Sequence, residues 1–134
     1  MPNQPQAPAA RASESLLARK EELALAVTEA LYKACPELAI RYGPAGRTKC
    51  LQDMRYTLEH LAPSVALSEP ILFVRYITWL VDLLRPRGIP PDHVRAALET
   101  MAAVIAGHLA ADEHEAAAVG LRAALAALAI GQPT

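Results

Sequence analysis

Proline decides where this chain can be helical. The residue before a proline is pushed out of the helical region, and a proline inside a helix removes a backbone hydrogen bond. Cys35-Pro36, Tyr42-Gly43-Pro44, Ala62-Pro63, Glu69-Pro70, Arg85-Pro86-Arg87-Gly88 and Pro90-Pro91 therefore cut the sequence into segments. Within the segments apolar residues recur at about 100° per residue, the spacing of a helix with one buried face. None alternates as a strand would. Abundant alanine and few aromatics point the same way. The chain is expected to be all-α, with five helices in one domain.

The first helix is predicted over residues 13–34, capped by Ser13 or Ser15, with Leu16, Leu23, Val27, Ala30 and Leu31 inward. A connection over residues 36–46 leads to a second helix over 45–61, interrupted by Ala62-Pro63. Pro70 suits the first turn of a third helix, where its missing N–H costs nothing. That helix is apolar nearly all round and is expected to be central, with Arg75 and Asp82 as its only wet edge. The fourth helix follows Pro91 and carries the stripe Val94, Ala97, Leu98, Met101, Ile105 and Leu109. Asp112 and Glu115 form a capping box for the fifth, which carries Val119, Leu121, Leu125 and Leu128. The organisation is a disordered lead-in over residues 1–12, a single domain over 13–130 and a short tail over 131–134. An antiparallel bundle and the crossed helices of a globin-like fold both satisfy these lengths; periodicity does not choose.

The net charge of −1 argues against a nucleic-acid or anionic membrane surface. Charges interrupt every apolar run, so no spanning helix is expected, and the start lacks the basic and apolar parts of a secretion signal. Two cysteines without metal-type spacing fit reduced thiols in a cytoplasm. No nucleophile with a base, phosphate loop or carboxylate pair is present, so no enzymatic activity is expected.

The chemistry concentrates on the second helix. Leu51, Met54, Leu58 and Leu61 form its apolar face, and Cys50, Asp53, Thr57 and His60 line the stripe beside it, within a sector about 80° wide. A thiol, a carboxylate, a hydroxyl and an imidazole edging a buried face make one wall of a ligand pocket. The same pattern edges many ordinary amphipathic helices, where a buried cysteine is inert filler. Tyr56, Phe73, Tyr76 and Trp79 are either cavity lining or core. His93, His108 and His114 are scattered with respect to the helix faces and read as surface residues, and Cys35 as structural.

Cys50-Leu51-Gln52-Asp53-Met54-Arg55-Tyr56-Thr57-Leu58 resembles the chromophore helix of the phycobiliproteins, where Cys-x-Arg-Asp is followed by Tyr and Leu at matching offsets. Ala34-Cys35-Pro36-Glu37-Leu38 with Tyr42-Gly43 is similar to the segment ahead of that helix, and Gly88-Ile89-Pro90 to the Gly-x-Pro break behind it. The resemblance implies a globin-like fold and a linear tetrapyrrole (bilin). Cys50 would be its thioether anchor, Asp53 the acceptor for pyrrole N–H groups, and Tyr56, Thr57, His60, Tyr76 and Trp79 the pocket wall.

Gln52 stands where the family has a propionate-binding arginine, and Glu59 where it has a second, while the family's N-terminal helical hairpin has no counterpart. Those departures favour sensing over light harvesting. Haem is disfavoured, because the third helix, which would supply the proximal ligand, contains no histidine. The alternatives are a noncovalent carrier of an apolar ligand and a ligand-free module of sensor-globin type. The module would dimerise or dock to a signalling partner through an alanine-rich face, Ala116–Ala118, Ala123, Ala124, Ala126 and Ala127, although such a face also suits the inside of a monomer.

Overall fold

The computed structural model describes residues 7–131. They form six α-helices, α1 (Pro8–Ala18), α2 (Lys20–Ala34), α3 (Glu37–Ala66), α4 (Pro70–Leu84), α5 (Pro91–His108) and α6 (Ala111–Gly131), with a 3₁₀ turn at Arg85–Arg87 after α4. The described residues contain no strand, and none of their helices is long and apolar enough to cross a membrane. Leu16, Leu23, Val27, Leu58, Leu61, Phe73, Met101, Ile105 and Leu121 are fully enclosed in one continuous core.

The single helix expected over residues 13–34 is two. Arg19, with φ −106° and ψ 18°, separates α1 from α2. No proline or glycine marks this bend. Its side chain docks elsewhere: the guanidinium donates to Glu22 and to the carbonyl of His108 at the end of α5, where a cation suits the exposed carbonyls. Helix α1 also starts at Pro8, inside the segment expected to be disordered. Ala12 is buried there, and Arg11 pairs with Asp112 of α6. Residues 1–6 of that lead-in and 132–134 of the expected tail lie outside the described residues.

The expected connection over residues 36–46 is mostly helical. Gly43, at φ 68° and ψ −172°, divides α3 into a short first limb, residues 37–42, and a long second limb, residues 44–66. That backbone region is open essentially to glycine alone. Pro63 does not end the helix, as had been expected. Leu61, Ala62, Ser64 and Val65 are buried on either side of it, and their burial outweighs the one backbone bond that proline removes. The helix stops at a Schellman-type close instead. Ser68 takes a positive φ of 54°, and the Ser68 and Glu69 N–H groups donate to the carbonyls of Val65 and Ser64.

Helix α3 touches α1, α2, α4 and α6, and it shares the centre with α6, which touches α1, α3, α4 and α5. The apolar α4, expected to hold that place, lies on the outside. It buries Phe73, Ile77, Leu80 and Val81 but exposes Ile71, Thr78 and Trp79. The stripe expected of α5 is buried throughout. Helix α6 starts without the expected capping box, as Asp112 turns to Arg11 and Glu115 to Arg122. Its Val119 is exposed. Ala117, Ala118 and Ala124 face the monomer's own interior, whereas Ala116, Ala123 and Ala127 are half-buried and Ala126 is exposed.

Candidate functional site

The second limb of α3 turns its chemical stripe toward two neighbouring hollows. The inner one is a cavity of about 360 Å³ between α2, both limbs of α3, α4 and the start of α5, within the size range of about 300–1,000 Å³ typical of small-molecule pockets. Its walls are mainly apolar, including Leu31, Leu38, Met54, Ile77, Val94 and Leu98. Lys49, Cys50, Asp53 and Thr57 come to it from α3, Tyr32 from α2 and His93 from α5. The outer hollow is a groove of about 550 Å³, more open to solvent, lined by Tyr56, His60, Arg75, Tyr76 and Trp79. Asp53, Leu80 and Leu83 belong to both.

The residues expected to form one site are therefore divided. Cys50 and Thr57 face the cavity, Tyr56, His60, Tyr76 and Trp79 face the groove, and Asp53 stands where the two meet. In the groove His60 stacks on Tyr76, ring centroids 3.9 Å apart and 11° from parallel, and Trp79 lies 5.9 Å from Tyr76. The ring of His60 is oriented by its Nδ1, 2.8 Å from the carbonyl of Tyr56. Tyr56 and Trp79 are 46% and 56% exposed, so neither is core. Of the four aromatics, only Phe73 fills the interior completely.

Electrostatics separate the cavity groups from ordinary surface ones. Burial pushes the Cys50 thiol up, and the neighbouring Thr28 hydroxyl partly offsets it. The resting group is thus a neutral thiol, one that reacts slowly until something stabilises its thiolate. Burial also raises the Asp53 carboxyl, while Lys49 and Arg87 act on it only through space and pull it back. Tyr76 is raised by burial, with the Thr57 hydroxyl opposing the rise and the Asp53 charge adding to it.

Thr57 itself donates to the Asp53 carbonyl at 2.8 Å, which holds its hydroxyl on the cavity side without leaving a buried polar atom unpaired. The cation nearest the missing family arginines is engaged elsewhere, since Arg55 pairs with Glu21, and Glu59, whose charge would repel a propionate, accepts from Lys20 at 2.6 Å. Gln52 donates to the Tyr56 hydroxyl at 3.2 Å.

Sequence reasoning missed part of the cavity. His93, read as a surface histidine, is half-buried, and its Nδ1 lies 2.8 Å from the Tyr42 hydroxyl. Burial, then the nearby Arg41 charge, lowers its pKa. Tyr32 and Tyr42 also line the cavity. They sit on α2 and on the first limb of α3, away from the limb that carries the stripe, so the spacing of that limb carries no signal for them. Both cysteines are free thiols, and no cluster of three or more His, Cys, Asp or Glu side chains among the described residues is placed to hold a metal. No family model matches the sequence, and no curated protein matches it.

Proposed function

We propose that this domain is a globin-like, phycobiliprotein-related sensor that holds a bilin, or a similar flat conjugated molecule, in the inner cavity. One observation carries the reading: Cys50 and Asp53, one helical turn apart, face the same apolar cavity. A ligand anchored at one atom and hydrogen-bonded at another needs that pairing. Cys50 would hold the ligand by adding its S–H across a carbon–carbon double bond, forming an S–C bond and passing the proton to the adjacent carbon. The group would supply visible absorption.

The Asp53 carboxylate is partly desolvated, and Lys49 and Arg87 act on it only through space. Ligand N–H donors would relieve that desolvation and bring its pKa down. Lys49 and Arg87, both on the cavity wall, suit acidic side arms of the ligand, the role Gln52 and Glu59 do not fill. Thr57 and Tyr76 would border the ligand near Asp53, with Tyr56, His60 and Trp79 beyond.

Co-expression with a bilin-producing pathway is the test. The expected product is coloured protein whose pigment stays with the chain on denaturation. Cys50→Ala abolishes the attachment, and Asp53→Asn weakens binding roughly tenfold or more, the loss of a charge-assisted hydrogen bond. Colourless protein with an unmodified Cys50 overturns the reading.

The exposed Tyr56 and Trp79 favour a second reading, an interaction module in which another copy of the chain seats on the groove. Light scattering across concentrations separates the two. A dimer that Trp79→Ala dissociates supports the module, whereas a monomer at every concentration removes it.

A further inference from the structure

We infer that the first limb of α3 is a latched lid over the inner cavity, whose release admits flat ligands larger than the closed cavity accepts. The limb runs between two flexion points. At one end Cys35 closes α2 in a non-helical conformation, φ −128° and ψ 73°; at the other stands Gly43. Between them Leu38 and Tyr42 point into the cavity, while Ile40 is 89% exposed. The limb is thus a strip of wall, one face on the cavity and the other in water.

Two polar contacts fasten it to elements across the mouth. The Tyr42 hydroxyl meets Nδ1 of His93 on α5, with the two rings edge to face at 5.7 Å. Arg41 donates to the Gly88 carbonyl in the turn before α5, at 3.0 Å, and its guanidinium lies 5.3 Å from the Tyr42 ring centre. Gly46 allows the closed position: a Cβ there would come 2.3 Å from the Cβ of Tyr42. The latch therefore needs bare backbone on the second limb, a hydroxyl on the first and an imidazole on α5. None of these is required merely to continue a helix.

The lid serves the ligand reading above, but its test needs no pigment, so the two can fail separately. In a Cys35→Ser background, Cys50 is the remaining thiol and faces the cavity. Its labelling is followed with small iodoacetamide and with flat N-(1-pyrenyl)maleimide. Tyr42→Phe keeps the ring but removes the latch bond. It is expected to speed pyrenylmaleimide labelling about fivefold, the factor carried by one hydrogen bond of typical net strength, while iodoacetamide labelling changes little.

Gly46→Ala is expected to do the same more strongly; if that variant does not fold, Tyr42→Phe carries the test alone. The accelerated rate should stay flat in urea below the unfolding transition, as a local opening does. Equal pyrenylmaleimide rates in the parent and in every folded variant overturn the lid. So does acceleration of both reagents in step with lost global stability.

Discussion

The inner cavity and the outer groove share Asp53, Leu80 and Leu83, yet they are different kinds of surface. The cavity is bounded by four helices and carries a partly desolvated thiol and carboxylate among aliphatic walls. The groove lies along the outward face of α4 and presents stacked rings to solvent. Helical spacing groups Cys50, Asp53, Thr57 and His60 in a single stripe, and in the fold that stripe crosses the boundary between the two. A helix wheel reports which residues share a side; it does not report where the neighbouring helices end. Residues of α2, α5 and the first limb of α3 wall the stripe at Cys50 and Thr57 but not at His60, so the same stripe begins in a cavity and finishes in a groove.

The contrast can be broken most sharply on α4, where Ile77 is 1% exposed and Trp79, two residues on, is 56% exposed. Ile77→Ala is expected to cost about 2–5 kcal/mol of unfolding free energy. Trp79→Ala removes a larger side chain but should stay within about 1 kcal/mol, because most of its surface is already wet. Urea midpoints measure both, and comparable losses would show that the groove is part of the core. Gly43→Ala comes next, at roughly 1–3 kcal/mol, since any Cβ is strained at its φ and ψ.

The smallest effect is at Asp53. Its folded pKa is raised by burial, so the charged form is the one the fold disfavours. The penalty is absent at low pH, where folded and unfolded chains are both protonated. It grows as pH rises from the ordinary carboxylate value through the raised folded value, and is full above that. Asp53→Asn should therefore stabilise the ligand-free protein at neutral pH by on the order of 0.5 kcal/mol. The gain should fade as pH drops through that window. Stabilisation that persists in acid would place its cause outside ionisation.

Much of the scaffold was readable from punctuation and period. Pro36, Gly43, Gly88 and Pro91 all fall at breaks or helix starts, and the α5 stripe is buried throughout. The misreadings share one physical origin, the override of a local signal by tertiary contact. Pro63 sits inside a helix because the residues around it are buried, and the bend at Arg19, marked by no proline or glycine, falls where that side chain reaches α5. The uniformly apolar α4 lies outside rather than at the centre. The stripe of the candidate site could be seen in the sequence. The residues that close over it, Tyr32, Tyr42 and His93, could not, because they arrive from α2, the first limb of α3 and α5, and the spacing within one helix does not report how others pack against it.

The central claim is that Cys50 faces a cavity made for a covalently held guest. Intact-mass measurement of the protein purified from bilin-producing cells, followed by peptide mapping, tests it most directly. The account predicts one added ligand mass, located on the peptide containing Cys50 and missing from Cys50→Ala. An unmodified chain, or an adduct carried by Cys35 instead, would contradict it.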